Sequence, residues 1–221
     1  MKIIAHRGAK GLAPENTLDA IQAGVNAGAD EIEIDVRVTG DAVPILSHDP
    51  TLLIDGKPTA IALLTLDDIW KAHPDIPTLA EALELIHPRS VAHLEVKKNE
   101  PVEPIAEVIR ECLTSGTYSL DSIILASKSQ KILRALQREL PDIQLVVIES
   151  WSGVRARRRA KQVRTKRLSM RASWLWNGFL GGMYRHGYQI TPYTMNDPKK
   201  VRKWQQYLYG IVTDYPDRFT R

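Results

Sequence analysis

The feature that most constrains the fold of this chain is the regular alternation of strand-like and helix-like segments along its 221 residues. Apolar or alternating segments predict eight parallel strands, at residues 2–5, 31–37, 91–97, 122–127, 144–150, 168–173, 189–196 and 209–214. Segments of helical period separate them. Eight βα units predict an α/β fold, a (β/α)8 TIM barrel forming one domain over residues 1–221, in which residues 49–76 could form at most a small cap.

A β-hairpin should extend the barrel after its second strand. Residues 39–42 read Thr-Gly-Asp-Ala, a turn too short for a parallel crossover, so the apolar segment 43–47 should return antiparallel. A two-residue turn would place Asp35 opposite Leu46, with His48 two positions further on, beside the acidic residues of the strand.

The second strand carries charge where a barrel strand should be apolar. Four charged residues alternate with aliphatic ones and therefore share one face. They are Glu31, Glu33, Asp35 and Arg37. Carboxylates two residues apart on a strand lie about 6 to 7 Å apart and repel each other, so a cationic group should lie between them. The alternative is an ordinary hairpin with solvated acids and a surface histidine.

Polar residues recur at the carboxyl ends of the predicted strands, which form one mouth in a (β/α)8 barrel. They are His6-Arg7, Glu33 and Asp35, Glu95 and Lys97, Asn196, and Thr213-Asp214. Structural need alone would rarely place charge at so many strand ends. The pattern therefore favours an active site at the mouth.

Composition is that of a globular protein, with 43% hydrophobic and 25% charged residues. No apolar run approaches the roughly 20 residues that span a bilayer, and the amino-terminal residues do not resemble a secretory signal. The single cysteine, Cys112, allows no intrachain disulfide and fits a reducing compartment. We therefore expect a cytoplasmic protein with no membrane span.

The net charge of +4 is unevenly distributed, because nine Lys or Arg residues lie between Arg155 and Arg171 without an acidic residue. Such a cluster could be a solvated helix face, or it could contact an anionic membrane surface, a phosphorylated substrate or nucleic acid. No nucleic-acid motif and no interleaved aromatic residues accompany the cluster, so we expect no nucleic-acid partner. Trp174 and Trp176 follow closely, which keeps peripheral membrane contact as an alternative to a solvated face.

Seven motifs occur in an order and spacing that cover nearly the whole chain. They are IAHRG (4–8), PENT (14–17), GADEIEIDVRVTGD (28–41), SHD (47–49), IPTLAEAL (76–83), LEVK (94–97) and GIVTDYPD (210–217). On these motifs the chain resembles the glycerophosphodiester phosphodiesterases, which share a barrel with phosphatidylinositol-specific phospholipases C. The resemblance implies hydrolysis of a glycerophosphodiester to glycerol 3-phosphate and an alcohol.

The resemblance also implies roles for individual residues. Glu33, Asp35 and Glu95 would hold one divalent cation, and carboxylate ligands suit Mg²⁺ or Ca²⁺. His6 and His48 would be the general acid and base, with the assignment of each role left open. A hydroxyl of the substrate could attack first and give a cyclic phosphate, or water could attack directly.

Four further residues are expected to contact substrate. Arg7 would bind phosphate oxygens through its guanidinium, and Lys97 would add a point charge. Tyr193 stands where the family usually has Trp-Thr and would line the glycerol or alcohol pocket or simply pack. Asn16 would touch the site or cap the first helix, with capping slightly favoured.

Some segments depart from the family pattern, which leaves the alcohol of the small-molecule substrate and the oligomeric state open. Residues 54–58 replace an Arg- and Thr-rich segment, and Ala126-Ser127 replaces the usual Ser-Phe. Two alternatives to a soluble glycerophosphodiester remain. One is hydrolysis of lysophospholipids or other lipid diesters at a membrane surface, and the other is a non-catalytic phosphate-binding barrel.

Overall fold

The computed structural model describes residues 1–220, which form a nearly closed barrel of eight parallel strands with helices outside it. Eleven strands occur in this part of the chain. They are β1 (Lys2–Ala5), β2 (Glu31–Val38), β3 (Pro44–Leu46), β4 (Thr51–Ile54), β5 (Lys57–Ala60), β6 (Val91–Val96), β7 (Ile123–Ser127), β8 (Gln144–Glu149), β9 (Arg167–Arg171), β10 (Gln189–Tyr193) and β11 (Gly210–Thr213).

The parallel strands follow the order β10-β9-β8-β7-β6-β2-β1-β11. The two end strands meet through an isolated bridge between Ile190 and Leu208. Two amide groups complete the closure, since Tyr209 N donates to Ile190 O at 3.0 Å and Met195 N donates to Val212 O at 2.8 Å. The expectation of a (β/α)8 barrel is therefore confirmed.

Eight α-helices occur within residues 1–220. They are α1 (Leu18–Asn26), α2 (Leu66–Ala72), α3 (Leu79–Ile86), α4 (Glu103–Thr114), α5 (Gln130–Glu139), α6 (Gly153–Gln162), α7 (Asn177–Arg185) and α8 (Pro198–Trp204). Local sequence sets the bounds of α1 and α3. Thr17 and Thr78 cap their amino termini, and Gly28, with a φ of +75°, follows the end of α1. Within residues 1–220, every helix is too short or too polar to span a bilayer.

The hairpin after β2 forms, but its register differs from the predicted one by one residue. Val36, rather than Asp35, pairs with Leu46. The turn holds three residues instead of two, because Ala42 adopts a φ of +65° and Thr39 pairs with Val43 through a hydrogen bond of 3.0 Å.

The segment 49–76, expected to form at most a small cap, contains a second hairpin made of β4 and β5. Its turn is Asp55-Gly56, with φ values of +49° and +75°, a dipeptide typical of two-residue hairpins. This hairpin and α2 enclose a small separate core of Ile45, Ile61, Leu64 and Ile69. The cap is thus small but has regular structure.

A buried ion cluster explains the first charged residue of β2. The Glu31 carboxylate accepts hydrogen bonds from Arg167 Nη2 at 3.0 and 3.2 Å and lies 2.8 Å from His93 Nδ1. Burial opposes its ionised form, yet His93 and Arg167 hold the pKa of Glu31 below its usual range. Glu31 therefore ties β2 to β6 and β9 inside the barrel, away from the other acids of its strand.

A second ion cluster joins β8 to α6. The Glu149 side chain is buried and accepts hydrogen bonds from Arg155 Nε and Nη2, each at 2.5 Å, and from Arg159 Nη1 at 3.4 Å. The amides of Ser150 and Trp151 also donate to it, at 2.9 and 3.1 Å. Burial opposes ionisation, but these donors lower the pKa of Glu149 to about 2.

Replacing Glu149 by Gln should lower the free energy of unfolding by about 1 to 3 kcal/mol at neutral pH, because the amide forms weaker hydrogen bonds with the arginines. Glu149 stabilises the fold fully above its unfolded pKa, near 4.5, and this contribution is lost as the pH falls toward about 2. Urea denaturation should show that the difference in the free energy of unfolding between the parent and Glu149→Gln becomes smaller as the pH falls over that range. The control variant Glu139→Gln alters an exposed ion pair with Arg110 and should lower the free energy of unfolding by under about 1 kcal/mol. A difference between the parent and Glu149→Gln that does not change with pH would contradict the role given to the Glu149 carboxylate.

Candidate active site

Three carboxylates meet at the carboxyl ends of neighbouring strands. Glu33 and Asp35 alternate along β2, and Glu95 on β6 pairs directly with Asp35. All three side chains are buried, and an oxygen from each lies within 4.8 Å of the others. The adjacency of β2 and β6 therefore creates a compact acidic cluster from two distant parts of the sequence.

Three cations lie against this cluster but leave Glu33 without an ion-pair partner among residues 1–220. Lys128 Nζ lies 3.2 Å from Glu95 Oε1. Lys97 Nζ contacts Asp35 and lies 2.9 Å from Glu95, while Arg7 Nε lies 3.1 Å from Asp35. Burial opposes ionisation of Asp35, but Lys97 and Arg7 outweigh it and lower the pKa of that carboxyl. At Glu33, burial and then the charge of Asp35 raise the pKa.

The donor set fits a hard divalent cation. Arg7, Lys97 and Lys128 pair with Asp35 or Glu95, but Glu33 has no ion-pair partner among residues 1–220. Burial and then the charge of Asp35 raise the pKa of Glu33, which a bound cation would counteract. Carboxylate oxygens are ligands that Mg²⁺ and Ca²⁺ prefer. Glu33, Asp35 and Glu95 are thus the residues that could hold such an ion.

The turn after β1 brings His6 and Arg7 to the same place. Arg7 adopts a φ of +51° and Gly8 a φ of +88°, and the Arg7 amide donates to Glu33 Oε2 at 2.9 Å. Only glycine fits at position 8, because a Cβ there would lie 2.6 Å from backbone atoms of Ala20 in α1. The turn therefore fastens the first helix, the first histidine and the acidic cluster together.

His6 has a carboxylate partner that sequence reasoning did not identify. Its Nδ1 lies 2.6 Å from Asp214 Oδ1, and Asn196 Nδ2 donates to Asp214 Oδ2 at 2.7 Å. Burial opposes ionisation, yet His6 and Asn196 lower the pKa of Asp214. Because an ionised carboxylate only accepts hydrogen bonds, His6 carries its proton on Nδ1 when neutral. Its Nε2 is then available as an acceptor.

His48 follows β3 and lines the same cavity as His6 and Glu33. Its Nδ1 lies 2.8 Å from Asp49 Oδ1, and its side chain is 37% exposed. The altered hairpin register does not remove it from the acidic residues. The two predicted histidines therefore share one cavity with the carboxylate cluster.

Asn16 does not cap α1, so the capping alternative is wrong, because Thr17 is the N-cap. Asn16 is buried and adopts a φ of +58°. Both polar atoms of the Asn16 side chain form hydrogen bonds with Asp35. Its Nδ2 donates to Asp35 Oδ2 at 3.0 Å, and its Oδ1 accepts from the Asp35 amide at 3.1 Å. This left-handed backbone conformation, which no simple sequence pattern predicts, turns the side chain toward β2 instead of α1.

The residues expected to bind substrate occupy different positions. Arg7 lines the cavity and also binds Glu15 Oε1 at 2.6 Å, whereas Lys97 is buried among the carboxylates. Tyr193 lines the cavity, and its hydroxyl lies 2.9 Å from Ser150 Oγ. Arg7 and Tyr193 can therefore meet a ligand directly, while Lys97 contacts two of the acids.

The cavity has a volume of about 570 Å³ and further basic residues that sequence reasoning missed as site residues. Lys128 follows β7, Arg171 ends β9, and Lys200 lies in α8 after β10. Because the carboxyl ends of parallel strands meet at one mouth, the positions of Lys128 and Arg171 at two such ends would have indicated that both line the cavity.

The basic cluster between Arg155 and Arg171 does not form one surface. Arg155 and Arg159 are paired with the acid at the end of β8, and Arg167 is buried inside the barrel. Lys166 precedes β9 and Arg171 ends it, so the cluster reaches from the amino ends of the strands to the mouth. Part of the cluster is therefore structural, and only its Arg171 end lines the cavity.

Comparison with known proteins agrees with this arrangement. The model of the glycerophosphoryl diester phosphodiesterase family matches residues 6–218. Bacillus subtilis YhdW is 30% identical over 98% of this chain and 96% of its own length, and a Bacillus altitudinis glycerophosphodiester phosphodiesterase is 27% identical over 98% and 96%.

A solved structure of an Oleispira antarctica phosphodiesterase in complex with the product sn-glycerol-3-phosphate has a TM-score of 0.85 at 26% identity, covering 99% of this chain and 94% of that one. The Thermotoga maritima glycerophosphodiester phosphodiesterase shares the fold, with a TM-score of 0.79 at 23% identity over 99% and 96%. Fold, cavity and sequence agree that the chain belongs to the glycerophosphoryl diester phosphodiesterase family of enzymes.

Proposed function

We propose that the chain acts as one barrel domain that hydrolyses glycerophosphodiesters to glycerol 3-phosphate and an alcohol, in a reaction that depends on a divalent cation and on two histidines. The observation that carries this proposal is the buried carboxylate cluster beside two histidines in one cavity. The product bound to the related Oleispira enzyme supports glycerol 3-phosphate as one product. A cytoplasmic location and the lack of a nucleic-acid partner stay predictions from the sequence.

Phosphodiester hydrolysis needs charge neutralisation at the phosphate, a proton acceptor for the nucleophile and a proton donor for the leaving oxygen. Mg²⁺ or Ca²⁺ held by Glu33, Asp35 and Glu95 would supply positive charge for the phosphate. Arg7, which lines the same cavity, adds a guanidinium that suits phosphate oxygens. Lys97 lowers the pKa of Asp35 and so keeps this carboxylate ionised for metal ligation. A direct contact of Lys97 with the phosphate is also part of the proposal.

The two histidines supply the proton transfers. Asp214 orients His6 and leaves Nε2 for a substrate or water oxygen, in the way that a carboxylate orients a catalytic imidazole. His48 is more exposed and contacts the exposed carboxylate of Asp49. One histidine acts as base and the other as acid, and both attack by water and attack by a substrate hydroxyl fit this geometry.

A lipid-bearing diester at a membrane surface is the second candidate substrate. Trp151 and Trp176 are 61% and 63% exposed, and Trp174 is 38% exposed. All three follow β8 or β9 and so lie at the mouth end of the barrel. Tryptophans at the mouth, next to Arg171, would suit the interface of an anionic bilayer.

Purified protein should release glycerol 3-phosphate from at least one soluble glycerophosphodiester when Mg²⁺ or Ca²⁺ is added. Glu33→Gln, His6→Asn and His48→Ala should each lower kcat by about 100-fold or more. A lysophospholipid, assayed with and without anionic vesicles at low salt, tests the second candidate, which predicts activation by vesicles. Turnover unaffected by chelation, or by the histidine substitutions, would contradict the proposal.

Asn16 should matter for metal affinity and not for helix stability. Asn16→Gly keeps the backbone conformation but removes both hydrogen bonds to Asp35, so the Kd for Mg²⁺ or Ca²⁺ should rise about tenfold. Thr17→Ala, the matched control, should lower the free energy of unfolding by about 1 kcal/mol without changing metal affinity. Titration calorimetry and thermal unfolding measure the two effects, and equal metal affinities for Asn16→Gly and the parent would count against the role given to Asn16.

A further inference from the structure

The cavity has a cationic wall opposite the carboxylate cluster. Around the barrel, β9 is the fourth strand from β2 in both directions, through β6, β7 and β8 or through β1, β11 and β10. Arg171 ends β9, and Lys200 follows the neighbouring strand β10. Lys128 follows β7, between this wall and the carboxylate cluster, and its ammonium lies 3.2 Å from Glu95 Oε1. A diester with its phosphorus at Glu33 therefore extends one arm toward this wall.

Arg171 and Lys200 have no acidic partner within ion-pair distance among residues 1–220, whereas Lys128 is paired with Glu95. Arg171 lies over the Trp151 ring, 4.7 Å from its centroid, and the Lys200 ammonium lies 5.4 Å from the centroid of Trp204. An aromatic neighbour leaves the N–H groups of a guanidinium available for an anion. Both charges are thus positioned at the cavity by packing and not neutralised by it.

The same wall is unsuited to a cationic alcohol. A quaternary ammonium is held by aromatic faces or by carboxylates. Among the described lining residues, the only acids are Glu33 and Glu95, which belong to the metal cluster. Tyr193 is the only Phe, Tyr or Trp in that lining, and Lys128 Nζ already lies 5.9 Å from its ring centroid. A choline or ethanolamine arm would therefore meet like charge.

Given the proposed function, on which this inference rests, we propose that Arg171 and Lys200 form a second anion subsite, and that the preferred substrates are glycerophosphodiesters whose alcohol arm carries its own phosphate. Phosphate suits this wall better than a carboxylate, because it accepts a guanidinium fork and leaves further oxygens for lysine. The hydroxyls of Ser169 and Ser173, which also line the cavity, provide additional donors. The volume of about 570 Å³ is sufficient for a diester of this size.

The test compares three diesters with saturating Mg²⁺: glycerophosphoglycerol, the same compound with a terminal phosphate on its distal glycerol, and glycerophosphocholine. The parent enzyme should show a kcat/KM for the phosphorylated diester roughly tenfold or more above that for glycerophosphoglycerol, with glycerophosphocholine lowest. Arg171→Gln and Lys200→Gln should each reduce this ratio by about tenfold. Arg138→Gln, an exposed arginine on α5 away from the cavity, should leave the ratio at the parent value.

The inference is overturned if the parent enzyme hydrolyses glycerophosphoglycerol or glycerophosphocholine as well as the phosphorylated diester, or if Arg171→Gln and Arg138→Gln behave alike. Glycerophosphoserine carries a carboxylate, and no second phosphate, on its alcohol arm. If the parent enzyme prefers it as strongly as the phosphorylated diester, the assignment of the subsite to phosphate is overturned. Titration calorimetry with the phosphorylated and unphosphorylated compounds tests the subsite without turnover. If no diester is hydrolysed with either metal, the proposed function fails, while a tighter Kd for the phosphorylated compound still supports the subsite.

Discussion

The structure depends on a compact cluster of charges at the carboxyl ends of β2 and β6. Three buried carboxylates, Glu33, Asp35 and Glu95, lie within reach of one another. Nearby cations pair with Asp35 and Glu95 but not, among residues 1–220, with Glu33. Isolated burial of such a cluster is costly, so the surrounding elements are arranged to hold it. The parallel pairing of β2 with β6, the left-handed turn after β1 and the amide of an asparagine all serve that purpose.

The strand ends in the opposite half of the barrel carry a different set of side chains. There Arg171, at the end of β9, and Lys200, after β10, lie beside aromatic rings and line the cavity. The cavity thus has an acidic side suited to a metal ion and a basic side suited to an anion. A substrate with two phosphates would satisfy both sides, which links the choice of alcohol to the same electrostatics that hold the reaction centre.

Much of the fold and of the acidic site could be predicted from the sequence, because strand alternation and charged residues at strand ends are local patterns. The barrel and the shared face of Glu33 and Asp35 follow from such patterns. Other features depend on single backbone angles or distant partners. The hairpin register was wrong by one residue because Ala42 adopts a positive φ, and the pairing of Arg167 with Glu31 joins positions far apart in the chain.

Anomalous diffraction from crystals grown with Mn²⁺, as a stand-in for Mg²⁺, tests the central claim most directly. One peak should lie among Glu33, Asp35 and Glu95, with an oxygen of each about 2.0 to 2.6 Å away and the Lys97 ammonium displaced from the centre of the cluster. A peak bound elsewhere, or an empty cluster with the three carboxylates turned apart at saturating metal, would contradict the assignment of a metal site to these acids.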